Sequence, residues 1–163
     1  MGFFNKNLKE IIVYSPVDGK VVELKKVKDE VFAQGMVGLG SAVEPSSSTV
    51  YSPIDQATIA TAFSTGHAYG LSSKKGPEIL VHIGIDTVSM NGDGFESKVS
   101  KDDKVSINST LAEIDLKKIK EKAKGSEIMV LATNDSMNGW KIQMTKESGT
   151  VKQGEELYRI VKA

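Results

Sequence analysis

Hydrophobic and polar positions alternate most cleanly across Glu78-Ile79-Leu80-Val81-His82-Ile83-Gly84-Ile85-Asp86-Thr87-Val88. In an extended chain Ile79, Val81 and Ile83 point to one side and Leu80 and His82 to the other, which predicts a strand. Ser15-Pro16-Val17-Asp18-Gly19-Lys20-Val21-Val22 reads as a turn feeding a strand, and the pattern returns at Ser52-Pro53-Ile54-Asp55-Gln56-Ala57-Thr58-Ile59. Further strands are predicted over 128–132, 140–144 and 157–161. One short helix is predicted, capped by Asp115, with Leu116, Ile119 and Ala123 at helical spacing and Gly125 ending it. Lys117, Lys118, Lys120, Lys122 and Lys124 cover its other faces and read as a solvated surface. Gly35, Gly38 and Gly40 are expected to mark tight turns; no P-loop lysine accompanies them. Residues 45–48 and 91–94 are loops by composition.

The two Ser-Pro turns are one sign of an internal repeat. Val105 and Leu111 have the same spacing as Val151 and Leu157, with turn residues between them in both copies. Two similar β-rich halves point to a β-sandwich or a closed sheet rather than to alternating β-α units. Residues 1–12 are expected to be a short N-terminal tail and 13–163 a single domain. Phe3, Phe4, Leu8, Ile11 and Ile12 among lysines could touch a membrane; a frayed tail leading into a first strand is the reading preferred here.

Composition narrows the functional classes. The chain has 163 residues, with Lys+Arg and Asp+Glu equal at 21 each. This balance does not suggest a nucleic-acid partner. Without cysteine there is neither a disulfide nor a thiolate metal site. No apolar run has the length of a membrane span, and no signal-peptide hydrophobic region opens the chain. Gly2 is followed by Lys6 where a myristoylation motif has Ser or Thr. A soluble cytoplasmic protein is expected.

His67 and His82 are the only histidines. A hairpin centred between Lys74 and Lys75 sets Leu71 opposite Glu78 and His67 opposite His82, with Cβ atoms roughly 5 Å apart. Two neutral imidazoles so placed permit several chemistries. One ring can accept a phosphoryl group while the other donates to its oxygens. Both can bind zinc, with Asp86 as a third ligand. Or both can be ordinary strand residues. A nucleophilic His82 needs a fixed tautomer, and a backbone carbonyl near Ile83-Gly84 is a plausible acceptor for its other nitrogen. Thr65 lies two residues before His67, where its hydroxyl could orient that ring.

Leu80-Val81-His82-Ile83-Gly84-Ile85-Asp86-Thr87-Val88, followed by Asn91-Gly92-Asp93-Gly94-Phe95, resembles the active-site signature of the glucose-type IIA component of the bacterial phosphoenolpyruvate-dependent sugar phosphotransferase system. Thr65-Gly66-His67-Ala68-Tyr69 is similar to its second histidine motif; Phe32-Ala33, Met36-Val37-Gly38 and Asp115-Leu116 match flanking segments. The resemblance covers nearly the whole chain. It implies an all-β, antiparallel β-sandwich of two similar sheet motifs with one or two short helices. It implies that His82 accepts a phosphoryl group on Nε2 from HPr and passes it to the cysteine of a sugar-specific IIB domain, peripherally to the membrane and mostly as a monomer. His67 would support the phosphoryl group and Thr65 would hydrogen-bond His67. Phe32, Met36, Val37, Phe63, Leu80 and Val88 would form the apolar ring on which partners dock, and Asp29 and Asp86 the acidic points that meet a basic residue of HPr. No cofactor is required, although relatives can share a zinc with a partner through both histidines. Two departures stand out. Gly38-Leu39-Gly40 replaces a frequent Gly-Asp-Gly, and the leader is shorter than in enteric members, which speaks against membrane anchoring; the start at Met1 and the end soon after the last predicted strand lead to the expectation of a free-standing chain.

Two other classes compete: a zinc-dependent hydrolase of related β architecture and a purely regulatory binding module. The hydrolase reading lacks a His-x-His or His-Glu-x-x-His motif. A lipoyl or biotin carrier is weaker still, because no Met-Lys-Met-like turn presents a lysine.

Overall fold

The computed structural model describes residues 10–163. Fourteen strands dominate: β1 Ile11–Tyr14, β2 Gly19–Val22, β3 Gly38–Pro45, β4 Thr49–Tyr51, β5 Ala57–Ala62, β6 Ala68–Ser73, β7 Glu78–Ile85, β8 Phe95–Ser97, β9 Lys104–Val105, β10 Thr110–Ile114, β11 Gly125–Thr133, β12 Trp140–Met144, β13 Gly149–Val151 and β14 Glu156–Lys162. Among the described residues two short helices, α1 Glu30–Ala33 and α2 Leu116–Lys122, join them with a few 3-10 turns.

The strands form an eight-stranded sheet, β13-β2-β3-β11-β7-β6-β5-β9, and two three-stranded sheets, β1-β14-β12 and β4-β10-β8. All the pairings are antiparallel. The order is symmetric about the β11–β7 seam, and the internal repeat explains it. Ser15 Oγ donates to the Val17 carbonyl at 2.6 Å and Ser52 Oγ to the Ile54 carbonyl at 2.7 Å. The two turns then exchange bonds: Tyr14 N–H to Pro53 O and Tyr51 N–H to Pro16 O, both 2.8 Å. The second echo is as close, with Ser109 N–H to Ser106 O at 2.9 Å matched by Glu155 N–H to Lys152 O at 3.0 Å. The fold is therefore an antiparallel sandwich of two like halves, as the repeat predicts.

The eight-stranded sheet is covered on both faces at its centre. Ile79, Val81, Ile83, Ile128 and Val130 enter the main core with Tyr69, Leu71 and Tyr158. On the opposite face Leu24, Val27, Phe32, Ala42, Ile85, Met129 and Leu131 form a second, smaller cluster. Met129 pairs directly with His82 across the seam, so this second cluster underlies the histidine.

Four expectations are corrected. The first strand begins at Ile11, inside the stretch read as a tail, because Ile11 pairs with Ile160 and is buried. Residues 1–9, with Phe3, Phe4 and Leu8, lie outside the described residues. Gly38 and Gly40 belong to β3 instead of turns; a Cβ at either would come within 2.2 Å of a β11 carbonyl, so close strand approach explains them. Only Gly35, with φ +71°, is in a turn conformation. Helix α2 stops at Lys122, with Ala123 as its C-cap, and Gly125 opens β11. Last, the β6–β7 hairpin is slipped by one residue: Ala68 faces His82 and Ser72 faces Glu78. Its loop is tied by Ser73 Oγ to Pro77 O at 2.6 Å, which moves the turn centre onto Lys75.

Candidate functional site

A one-residue slip should send His67 to the other face of the sheet. It does not, because β6 starts only at Ala68 and His67 lies in the bend before it. Gly66 has φ +73°, and the buried Tyr69 hydroxyl donates to the Gly66 carbonyl at 3.0 Å. Ile83 N–H holds the His67 carbonyl at 2.7 Å. The chain turns there, and the two imidazoles meet edge to face with centroids 5.0 Å apart and planes at 81°. The Phe32 ring sits 4.8 Å from His82 and the Phe63 ring 5.4 Å from His67.

Hydrogen bonds assign the tautomers. His82 Nδ1 lies 2.9 Å from the Gly84 carbonyl. A carbonyl only accepts, so Nδ1 carries the proton and Nε2 the lone pair. Gly84 has φ +78°, a conformation that favours glycine and swings this carbonyl back to the ring. His67 Nδ1 lies 2.5 Å from Thr65 Oγ1, a residue of the turn rather than of a strand. If the hydroxyl donates there, His67 carries its proton on Nε2. Neither Nε2 has a hydrogen-bond partner among the described residues, and none of their buried side-chain nitrogens or oxygens is unpartnered. Both Nε2 atoms therefore reach the surface.

Burial, and next the neighbouring His67 ring, hold the His82 pKa down to about 4, against weaker opposing pulls from the Gly84 carbonyl and the Asp29 charge. Burial lowers the His67 pKa as well. Both rings are thus neutral at pH 7. The sign of the linkage follows. The unfolded His82 side chain, with its ordinary pKa of about 6.5, binds a proton that the folded one refuses. Its contribution to stability is full above about pH 6.5 and is lost as the pH falls towards 4. Thermal unfolding should therefore show Tm falling across that window, and His82→Gln should flatten the fall. An equally steep fall in the variant would contradict this burial.

Two phenylalanine rings pack on the histidines, and the other apolar residues expected around the site are partly or well exposed. Met36, Phe63 and Val88 are 65%, 46% and 57% exposed; Val37 and Leu80 are half-buried, and Phe32 is buried against His82. Val31, next to Phe32 in α1, is 47% exposed and is absent from the residues expected there, whereas Leu39, 56% exposed, lines a separate groove with Gly35, Ile142 and Met144. Asp29 is the N-cap of α1, its Oδ1 accepting from Val31 N–H at 2.9 Å and Phe32 N–H at 3.3 Å. It therefore positions Phe32 as well as supplying charge. Asp86 is exposed, in a left-handed conformation at φ 59°. Among the described residues no group of three His, Cys, Asp or Glu side chains is placed to hold a metal, so Asp86 does not complete a zinc site. No helix of the described residues is long and apolar enough to cross a membrane.

A family model for the phosphoenolpyruvate-dependent sugar phosphotransferase system, EIIA 1, matches residues 11–138. The glucose-specific EIIA component of Mycoplasma capricolum is 43% identical over 155 residues, 95% of this chain and 96% of that protein. The glucose-specific EIICBA component of Staphylococcus carnosus is 37% identical over 146 residues, 90% of this chain but only 21% of that longer protein. The solved structure of glucose permease IIA from Mycoplasma capricolum matches with a TM-score of 0.87 and 38% identity, over 93% of this chain and 96% of that one.

Proposed function

The chain belongs to the phosphoenolpyruvate-dependent sugar phosphotransferase system EIIA 1 family, and from that premise we propose that His82 Nε2 is the atom that carries its phosphoryl group. The protein is a IIA component of that system, a phosphoryl carrier in sugar transport. The observation that supports His82 is the hydrogen bond from its Nδ1 to the Gly84 carbonyl, which leaves the lone pair on Nε2.

The donor is HPr. As its phosphohistidine N–P bond breaks, a new N–P bond forms to His82 Nε2, and positive charge develops on the His82 ring. The Gly84 carbonyl stabilises that charge through Nδ1–H. Thr65 donates to His67 Nδ1 and so keeps the His67 proton on Nε2, aimed at the phosphoryl oxygens. The acceptor is the cysteine thiolate of a IIB domain; fusion of IIA with EIIB and EIIC in longer relatives accords with that pairing. Relatives named glucose-specific make a glucose-type permease the first partner to test, with sugar choice residing in its membrane component. One docking face used in turn by both partners is compatible with a monomer working in the cytoplasm.

A zinc bound through both histidines would find two ring nitrogens here and must take its remaining ligands from a partner. A hydrolytic zinc site lacks its third protein ligand among the described residues. The relay is tested with phosphoenolpyruvate, enzyme I, HPr and a IIB domain: acid-labile label should appear on this chain and then move to IIB. Label that never appears, or that stays when IIB is added, refutes the assignment.

The docking surface is tested by charge. Asp86→Lys should raise the KM for phospho-HPr and reduce its salt dependence, with little change in kcat, because an exposed rim charge acts mainly on encounter. Asp29→Lys should also lower kcat, since it removes the cap that holds Phe32 against His82. Unchanged transfer in both variants would place the HPr surface elsewhere.

A further inference from the structure

Thr87 is completely buried, hydrogen-bonds to neither imidazole, and has a hydroxyl that the phosphoryl-transfer reading does not use. Its Oγ1 donates to the Ile83 carbonyl at 2.5 Å. Its methyl lies over Gly84: a Cβ built on Gly84 would come 2.3 Å from Thr87 Cγ2. The peptide between Ile83 and Gly84 is thus gripped at its oxygen and covered at its α-carbon by one side chain. The next carbonyl along the chain is that of Gly84, the acceptor for His82 Nδ1.

The sheet does not secure this carbonyl. The β7–β11 register shifts between Ile83 and Ile85, where Gly125 pairs with Ile85 and the next pair is Ile128 with Ile83. The ladder is interrupted at Gly84, and Gly84 is in the left-handed region. The chain continues through Asp86, again left-handed, into the 3-10 turn that Thr87 opens. Two left-handed residues within a short stretch have several ways to relax unless a side chain holds them. Thr87 is that side chain. Ile83 also ties in the other histidine, because its N–H holds the His67 carbonyl.

We propose that Thr87 is a positioning residue that fixes the tautomer of His82, by holding the Gly84 turn whose carbonyl takes the Nδ1 proton. The valine side chain has nearly the shape of threonine but no donor, so Thr87→Val releases the Ile83 carbonyl while keeping the packing over Gly84. The Gly84 carbonyl then drifts, and the His82 proton redistributes to Nε2, where it blocks attack on phosphorus.

The test is heteronuclear NMR of the imidazole nitrogens at pH 7, paired with kinetics of phosphoryl uptake. The wild type should show His82 as the Nδ1–H tautomer alone. Thr87→Val should show a substantial Nε2–H fraction and a roughly tenfold lower kcat for uptake, with KM for phospho-HPr unchanged because the docking surface is untouched. Thr87→Ser keeps the donor but lacks the methyl over Gly84, so it should fall between the two, mainly the Nδ1–H tautomer with a small Nε2–H fraction. If Thr87→Val does not fold, Thr87→Ser carries the test through its missing methyl, with an expected two- to threefold loss in kcat and a detectable Nε2–H signal. A pure Nδ1–H tautomer in every folded variant, with kcat unchanged, overturns the proposal. The kinetic arm rests on the phosphocarrier reading, whereas the tautomer arm does not. A His82 that responds to Thr87 but never accepts phosphate would refute that reading alone.

Discussion

His82→Gln should take up no phosphate from phospho-HPr. The amide nitrogen of glutamine has its lone pair delocalised into the carbonyl, so the variant keeps hydrogen-bonding capacity but loses the nucleophile. No other described group replaces it. His67 is the only other histidine, and its Nδ1 is engaged by Thr65 while its proton is expected on Nε2. The loss is therefore one of chemistry and not of fold, since His82 is only half-buried and burial penalises its charged form. Labelled phosphate on the folded variant, measured beside wild type, checks this. Incorporation at a comparable level would mean that another residue is the acceptor.

His67→Gln is expected to separate the two steps. The acceptor nitrogen remains, and glutamine can still donate one hydrogen bond, so the variant should become labelled by HPr. Transfer to IIB should slow by about 10²–10³, the cost typical of losing one oriented donor to a transition state that accumulates charge. In that step the phosphoryl group leaves His82 for a thiolate, and its oxygens need a donor already in place. His67 is positioned for this by Thr65 on one side and the Phe63 ring on the other, and the flexible glutamine amide lacks both restraints. The measurement is label on the variant with HPr alone, and then its decay after IIB is added. A variant that is never labelled, or that donates at the wild-type rate, contradicts the role given to His67.

Where alternation or repetition marked a segment, the sequence was readable. Ile79, Val81 and Ile83 against Leu80 and His82 set out the two faces of β7, and the paired Ser-Pro turns implied the two-fold arrangement of the sheets. The histidine motifs carried the family. What escaped depends on contacts distant in sequence. The hairpin register was missed by one residue because Ser73 and Pro77 close the loop through a side-chain bond that composition does not reveal. His67 meets His82 nonetheless, and the cause is the Gly66 turn held by Tyr69, not strand alternation. Helix α1 has four residues, too few to show a helical period, so Asp29 was read as a charge and its capping went unseen. Gly38 and Gly40 read as turns in the sequence because only the facing β11 carbonyls show why a side chain is excluded.

The central claim is that a backbone carbonyl leaves His82 Nε2 as the phosphoryl acceptor. Its most direct test is heteronuclear NMR of the chain after phosphorylation through phosphoenolpyruvate, enzyme I and HPr, with the imidazole nitrogens isotopically labelled. The account predicts one phosphoryl group, coupled to Nε2 of His82, with Nδ1 still protonated. Phosphorus on Nδ1 of His82, or on His67, would contradict it.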